Sequence, residues 1–571
     1  MAASLLSYPS LSNARITERC MWLNSSHHKG MRMRCFSICL QKQCNFKQWM
    51  PPTIAPSRQH LLKAFALNVA ITPQENPSPS GVLNASHFMR SKTLPENPSD
   101  GLNGLEGELQ EFFDEVKTMF MEGKKDDALD LLQANYEVVK EQINAGRRGI
   151  QEAATLDIIA LGYMGVGDLK SVGPILNLLN VVTESLKDDE LLLDSILIHM
   201  GSMYSALGKL EESVFVYQRA IGSLEVKYGK SSTFLVSPLL GMAKVLGSIG
   251  KAKKAIDVYH HVIRILESRS GVECEDLIVP IFNLANLLVK EGRNKDAEVQ
   301  FMRILSIYQN LYGENDGRVG MALCSLAHVK CSTGNVEEAI DMYKRAIQII
   351  KDTNYMDLDD TIVEKMRIDL AELLHVVGRG NEGRDLLEEC LLMAEKYRGK
   401  KHPSTVTHLL NLATSYSQSK NYVEAERLLR ACLEIMKKTV SPDDQSITFP
   451  MLHLAATLCS LNRDEEAEQL ALEVLRIREK AFGKDSVPVG EALDCLECIQ
   501  SRAGRGEAEL LELLMRVLNI QEREFGYESE EVIQTLNKIV FCLDKLGRKD
   551  EKLSMKRRLS KLKMKYKQMV Q

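Results

Sequence analysis

A turn residue recurs down this chain at a 42-residue step, and that recurrence limits the fold more than any other feature. Lys420, Asn462 and Gly504 stand 42 apart; behind them lie Gly378 and, past a two-residue insertion, Gly334, Gly292, Gly250 and Gly208, then Gly167 and Gly123 at slightly different steps. Seven residues before the turn stands a small side chain: Ala160, Gly201, Ala243, Ala285, Ala327, Ala371, Ala413, Ala455. A large apolar residue precedes each of these: Ile159, Met200, Met242, Leu284, Leu326, Leu370, Leu412, Leu454. Five residues after the turn a second small residue recurs: Ala128, Ser213, Ala255, Ala297, Ala339, Gly383, Ala425, Ala467. Between His402 and Met436 the unit is complete. One apolar helical face holds Leu409, Leu412, Ala413 and Tyr416, and a second holds Ala425, Leu428, Leu429, Cys432 and Leu433. Two helices joined by a short turn approach closely only where side chains are small, and the large neighbour fills the gap to the next pair.

The pattern resembles the tetratricopeptide repeat, which has small residues at these offsets. The usual unit of that repeat is 34 residues, so the longer step is similar to the kinesin light chain and nephrocystin branch. The linker residues agree: Tyr228-Gly229, Tyr312-Gly313, Phe482-Gly483 and Phe525-Gly526 close second helices, and Lys401-His402-Pro403 opens a first one. The resemblance runs from about Gly104 to the C-terminus. It implies an all-α fold, a right-handed α-solenoid superhelix of about eleven helix pairs. Two places depart from the pattern. Around Gly504 the turn reads Ala-Gly-Arg-Gly and the small residue is expected to slip to Ala508; in the last pair Lys552 takes its place. Terminal units of such stacks are often atypical because one face meets water.

Across 571 residues, 44% are hydrophobic and 26% charged, enough to bury a long core. No run approaches 18 consecutive apolar residues, so no membrane-spanning helix is expected. Thirteen cysteines at irregular spacing suggest reduced thiols inside helices. The net charge of −5 is unevenly spread: residues 1–74 hold nine Lys or Arg against one acid, so they are +8 and the remainder −13. Residues 1–60 begin Met-Ala-Ala-Ser, are rich in Ser and Arg and contain both tryptophans, Trp22 and Trp49. That composition predicts a transit peptide, to a chloroplast before a mitochondrion or the cytosol, with stroma or thylakoid surface as the destination. Residues 61–103 are expected to be a Pro- and Ser-rich linker, 104–547 the repeats, and 548–571 a basic capping helix.

Catalytic signatures are missing: no phosphate-binding Gly loop, no His-Glu-x-x-His, no Gly-x-Ser-x-Gly. Cys495 and Cys498 have redox spacing but lie within a helix, His260-His261 lack a carboxylate partner, and Cys20, Cys35, Cys39 and Cys44 lack histidine partners. The chain is read as no enzyme, with no cofactor, no metal and no small-molecule substrate.

Function is then expected on the concave surface lined by first helices. Two residues before the small one stand His199, Asn283, Ser325, Asp369, Asn411 and His453; one after it stand Ser202, Lys244, Asn286, His328, Glu372 and Thr414. The asparagines resemble those of light-chain repeats, which implies bonding to an extended peptide backbone. The clamp of Lys and Asn by which chaperone-binding repeats hold acidic C-termini is not present.

From Arg548 to Lys567 ten basic residues face two acids, so the tail is +8 and the rest of the chain beyond residue 74 is −21. Leu553, Leu559, Leu562 and Tyr566 could form a buried stripe there, leaving Lys556, Arg557, Arg558, Lys561 and Lys563 as a solvated or anion-contacting face. Three functions fit: a protein-binding scaffold for assembly or biogenesis of a plastid complex, an RNA-maturation factor acting through the tail, and a cytosolic light-chain-related adaptor on microtubules or vesicles. Fusing residues 1–80 to a fluorescent reporter should direct it into chloroplasts; diffuse cytosolic fluorescence would overturn the targeting expectation.

Overall fold

The computed structural model describes residues 98–190, 192–357 and 360–570, and every regular element among them is helical. The expected transit peptide and most of the expected linker lie outside these residues. Twenty-two α-helices follow one another as eleven hairpin pairs, which two compact units divide between them.

The unit up to Tyr312 holds five pairs. They are α1 (Pro98–Met121) with α2 (Lys125–Asn144), α3 (Ile150–Val166) with α4 (Leu169–Ser185), α5 (Leu193–Ala206) with α6 (Leu210–Tyr228), α7 (Val236–Ile249) with α8 (Ala252–Ser270), and α9 (Ile278–Lys290) with α10 (Asn294–Tyr312). Helix α1 thus includes residues 98–103, which the composition assigned to the linker; Pro98 starts it, where a missing N–H costs nothing.

The unit from Gly313 holds six pairs. They are α11 (Gly317–Ser332) with α12 (Val336–Thr353), α13 (Thr361–Val376) with α14 (Gly380–Arg398), α15 (Thr405–Gln418) with α16 (Tyr422–Thr439), α17 (Thr448–Ser460) with α18 (Asp464–Phe482), α19 (Val487–Arg502) with α20 (Glu507–Phe525), and α21 (Glu530–Lys545) with α22 (Lys549–Val570).

The recurring turn residue has one job. Its backbone is left-handed, with φ +75° at Gly208 and Gly292, and the same region is occupied without glycine at Lys420 (+62°) and Asn462 (+64°). There the chain folds back on its own last helical turn. Lys420 N–H donates to the Ser417 carbonyl at 3.0 Å and Asn421 N–H to Tyr416 at 2.9 Å, and the same two bonds recur at Gly292–Arg293, Gly334–Asn335 and Asn462–Arg463. These satisfy carbonyls that a helix end otherwise leaves open.

All sixteen small residues of the repeat are buried. The contacts show why they must be small. A Cβ on Gly201 would stand 2.7 Å from the Tyr217 ring, and one on Gly383 would stand 2.7 Å from the Ala371 carbonyl. Ser213 Oγ donates to the Gly201 carbonyl at 2.6 Å across the same crossing. Of the large neighbours only Met242 is half-buried; the other seven are buried. Ala508 departs from expectation. It is exposed, because Arg505-Gly506 lengthens the turn by one residue and moves the inward phase to Leu510, 3% exposed.

Linkers are held by a second periodic device. Arg219 donates to the Thr183 carbonyl at 3.1 Å and pairs with Asp188 at 2.8 Å; Arg303 reaches Glu267 at 2.6 Å and the Val272 carbonyl at 3.2 Å. His261 meets the Lys230 carbonyl at 3.2 Å, Arg345 pairs with Glu314, Arg516 with Glu479, and Arg558 with Glu522. Each of these side chains lies on a second helix and ties back to the preceding pair or its linker.

Replacing Ala285 or Ala413, both with no exposed surface, by Leu should overpack the crossing and cost roughly 1–3 kcal/mol. Lys420→Gly should instead stabilise by about 1 kcal/mol, since only glycine takes the left-handed turn without penalty. Urea melts of the three variants check both signs.

Candidate functional site

First helices carry the candidate residues, and each unit has its own set. In the 98–312 unit, α3, α5, α7 and α9 touch in succession. His199 on α5 does not project freely: its Nδ1 lies 2.7 Å from Asp157 Oδ2 on α3, and Asp157 is buried. Burial opposes the imidazolium, yet the Asp157 charge and the hydrogen bond outweigh it and raise the His199 pKa; burial raises that of Asp157. Ser202 and Lys244 are exposed, and Asn283 and Asn286, one turn apart on α9, are half-buried. This unit therefore brings an amide pair, an ammonium and a hydroxyl to its first-helix face.

In the unit from Gly313, α11 presents Ser325 and His328, α13 presents Asp369 and Glu372, and α15 presents Asn411 and Thr414. Burial, helped by nearby Lys365, pushes the His328 pKa down to about 4. Burial pushes the Asp369 carboxyl up to about 8, and Lys365, one turn away on α13, only partly offsets this. Ser325 and Thr414 spend their hydroxyl protons on the Met321 and Leu410 carbonyls one turn back, at 3.2 and 2.9 Å. Asn411 is half-buried and Glu372 exposed. His453 on α17 is elsewhere: it is 3% exposed, burial takes its pKa down to about 4, and its Nδ1 has no hydrogen-bond partner. It is a core histidine and offers a ligand nothing. The reason is its offset: two residues before the small one, a side chain leans toward the neighbouring helix.

Two groups were missed in the sequence. Asp157 stands one 42-residue step before His199, and that spacing was the available signal. Glu497 occupies the small-residue position of α19, seven before Gly504; it is buried and accepts from Lys538 Nζ on α21 at 2.6 Å, with Asp494 at 3.8 Å. Burial works against the Lys538 ammonium, but Cys498 and the two carboxylates raise its pKa. This buried ion pair stands where other repeats have alanine.

Cys495 and His261 do other work, and Cys20, Cys35, Cys39 and Cys44 lie outside the described residues. Burial raises the Cys495 thiol well above its ordinary value, and His261 belongs to the linker contacts. Among the described residues no group of three or more His, Cys, Asp or Glu is placed to hold a metal ion. A cleft of about 380 Å³ lies between α16 and α18, beside Arg430, Leu433, Lys437 and Glu466, but Arg430 is already paired with Glu426 at 2.8 Å and Glu466 at 2.6 Å.

In α22, Leu559 and Leu562 are buried while Leu553 is 49% exposed, so Leu553 leaves the expected stripe and Met555 packs in its place. The side chain of Tyr566 lies outside the described residues. Arg558 is engaged with Glu522 and Lys563 Nζ with Asn537 at 2.9 Å; Lys556, Arg557 and Lys561 are exposed.

Tetratricopeptide-repeat family models match residues 195–223, 277–352, 363–438 and 451–487, so the chain carries tetratricopeptide repeats. Similar solved structures include BtubC (BKLC) from P. vanneervenii, 19% identical over 41% of this chain and 91% of that one, TM-score 0.35. The nearly identical kinesin-light-chain TPR-like repeats of Podosopora anserina are 23% identical over 37% and 97%, TM-score 0.33. The apo quorum sensor NprR from B. thuringiensis is 13% identical over 65% and 99%, TM-score 0.41. Comparison with curated proteins yields no match.

The buried groups set a pH dependence of opposite signs. An unfolded histidine titrates near 6.5, so below that pH the unfolded chain takes up a proton that folded His453 refuses; its contribution is intact above about 6.5 and lost as pH falls toward 4. His453→Leu should flatten this acid limb, by about 1.4 kcal/mol per pKa unit at most. Asp369 works the other way: folded it keeps its proton up to about pH 8, so stability falls as pH rises from about 4 to 8, and Asp369→Asn should gain over that window. Urea melts across pH read both slopes.

Proposed function

From the tetratricopeptide repeats this chain carries, we propose that it is a non-enzymatic scaffold of the chloroplast that binds protein partners along its first-helix faces and assists assembly or biogenesis of a plastid complex. The observation that carries this reading is positional. One residue after six of the eight small residues, the first helices present Ser202, Lys244, Asn286, His328, Glu372 and Thr414, all half-buried or exposed, where the crossing of the pair makes no demand on them.

Polar groups repeated in step along neighbouring helices suit an extended peptide, whose backbone groups also repeat. The half-buried amides of Asn283, Asn286 and Asn411 can each both donate and accept, as a peptide backbone requires. The acid-poor, Ser- and Arg-rich N-terminal composition supports the plastid location. The −21 charge of the chain between residue 74 and the basic tail disfavours a phosphate polymer on these faces.

Affinity isolation of the tagged protein from chloroplasts, with and without ribonuclease, tests the proposal. Protein partners should survive ribonuclease and be depleted in a variant combining Lys244→Ala, Asn286→Ala and Thr414→Ala that melts like the parent. Partners recovered only with intact RNA, or unaffected by the triple variant, would overturn it.

A further inference from the structure

Two helices leave one face uncovered, and the faces carry opposite charge. In α22, Leu559 and Leu562 pack on Leu536 and Ile539. The flanking cations are committed: Lys552 to Asp544 at 2.5 Å, Arg558 to Glu522, Lys563 to Asn537 at 2.9 Å and Lys565 to Glu528 at 2.6 Å. The opposite side presents Leu553, Lys556, Arg557, Ser560, Lys561 and Met564, all exposed save none, with Leu553 at 49% and Met564 at 68%. Lys556, Arg557 and Lys561 have no ion pair among the described residues.

In α1, Phe112 and Val116 are each 2% exposed and face α2 and α3, while Glu108, Glu111 and Glu115 are exposed at i, i+3 and i+7 on the flank beside them. None of these three has an ion pair among the described residues. Met121, at the end of the helix, is 70% exposed.

We propose that these faces dock on each other between copies of the chain, α22 of one copy lying antiparallel against α1 of the next. The spacing carries the choice of occupant. Glu111 and Glu115 are four residues apart, as are Arg557 and Lys561, a rise of about 6 Å on either helix. In the antiparallel register Glu115 meets Arg557, Glu111 meets Lys561, and Met121 comes level with Glu551, about 3 Å along the axis from Leu553. A parallel register also pairs the charges but carries Met121 to Lys567. A nucleic acid could use the same cations, but the rest of the chain repels phosphate, whereas every copy supplies carboxylates at the matching step. Repulsion between two net-negative copies is screened beyond about 8 Å at physiological salt, so the matched faces decide the contact. The contact is heterologous, and such contacts build closed rings or open filaments according to whether the rotation between copies closes.

This inference is independent of the first-helix reading, and sedimentation velocity of the full-length chain tests it. At physiological salt the weight-average sedimentation coefficient should rise with concentration through the tens of micromolar; high salt should return the monomer. Arg557→Glu with Lys561→Glu should stay monomeric, as should Glu111→Lys with Glu115→Lys, each with the parent's circular dichroism melt. An equimolar mixture of the two variants should associate again, because each supplies the face that the other needs. A parent that is monomeric throughout, variants that associate like it, or a mixture that stays apart would overturn the proposal. So would a monomeric parent whose Arg557 and Lys561 are required instead for pelleting with phosphatidylserine vesicles or for retarding single-stranded RNA.

Discussion

The close crossing within each hairpin is the contact on which the architecture depends. From the pair that turns at Gly208 to the pair that turns at Asn462, it is made by two small side chains and one left-handed residue at fixed offsets. Gly383 shows how little room there is: the Ala371 carbonyl already occupies the space a methyl would need. Once the crossing is set, the large residue before each small one faces the neighbouring pair. Leu284, Leu326, Leu370 and Leu412 are all buried for that reason. Stability in such stacks is a sum over repeats and the interfaces between neighbours, so the same small set of contacts is made again at each step.

Charge then has a secondary, orienting part. Most inter-repeat ion pairs, such as Lys251–Glu211 and Lys344–Glu382, are substantially exposed, and pairs of that kind contribute about 0–1 kcal/mol each. The arginines that reach into linkers differ, because they also bond backbone carbonyls at the helix end or in the linker: Arg219 holds Thr183, and Arg303 holds Val272. They fix how each linker leaves its helix. Arg558 makes the corresponding contact from the last helix, so one cation of the basic tail serves the fold in the way Arg303 and Arg516 do.

The repeat was legible because its signals are backbone signals. A left-handed turn and a close crossing restrict residue type directly, so about eleven hairpins are legible in the sequence alone. Side-chain partnerships were less legible, since they depend on rotation about the helix axis by less than one residue's worth of angle. His199 and His453 share an offset, yet one meets a carboxylate and the Nδ1 of the other has no hydrogen-bond partner. Asp157 and Lys538 went unnoticed because each acts on a residue about 42 positions away, where no local pattern points. Ala508 misled because one extra residue in a turn rotates everything after it.

The same geometry separates the faces available for function. A first helix gives its small residue to its own partner and the preceding large one to the next pair. The position two before the small residue leans toward the adjoining first helix and is taken up by the fold when an acid or an apolar wall awaits it. The position one after it has rotated past both neighbours. That is why Ser202, Lys244 and Glu372 are exposed while Asp369 and His453 are buried. Binding groups can therefore vary freely at one register position per repeat without touching the crossings that hold the stack together.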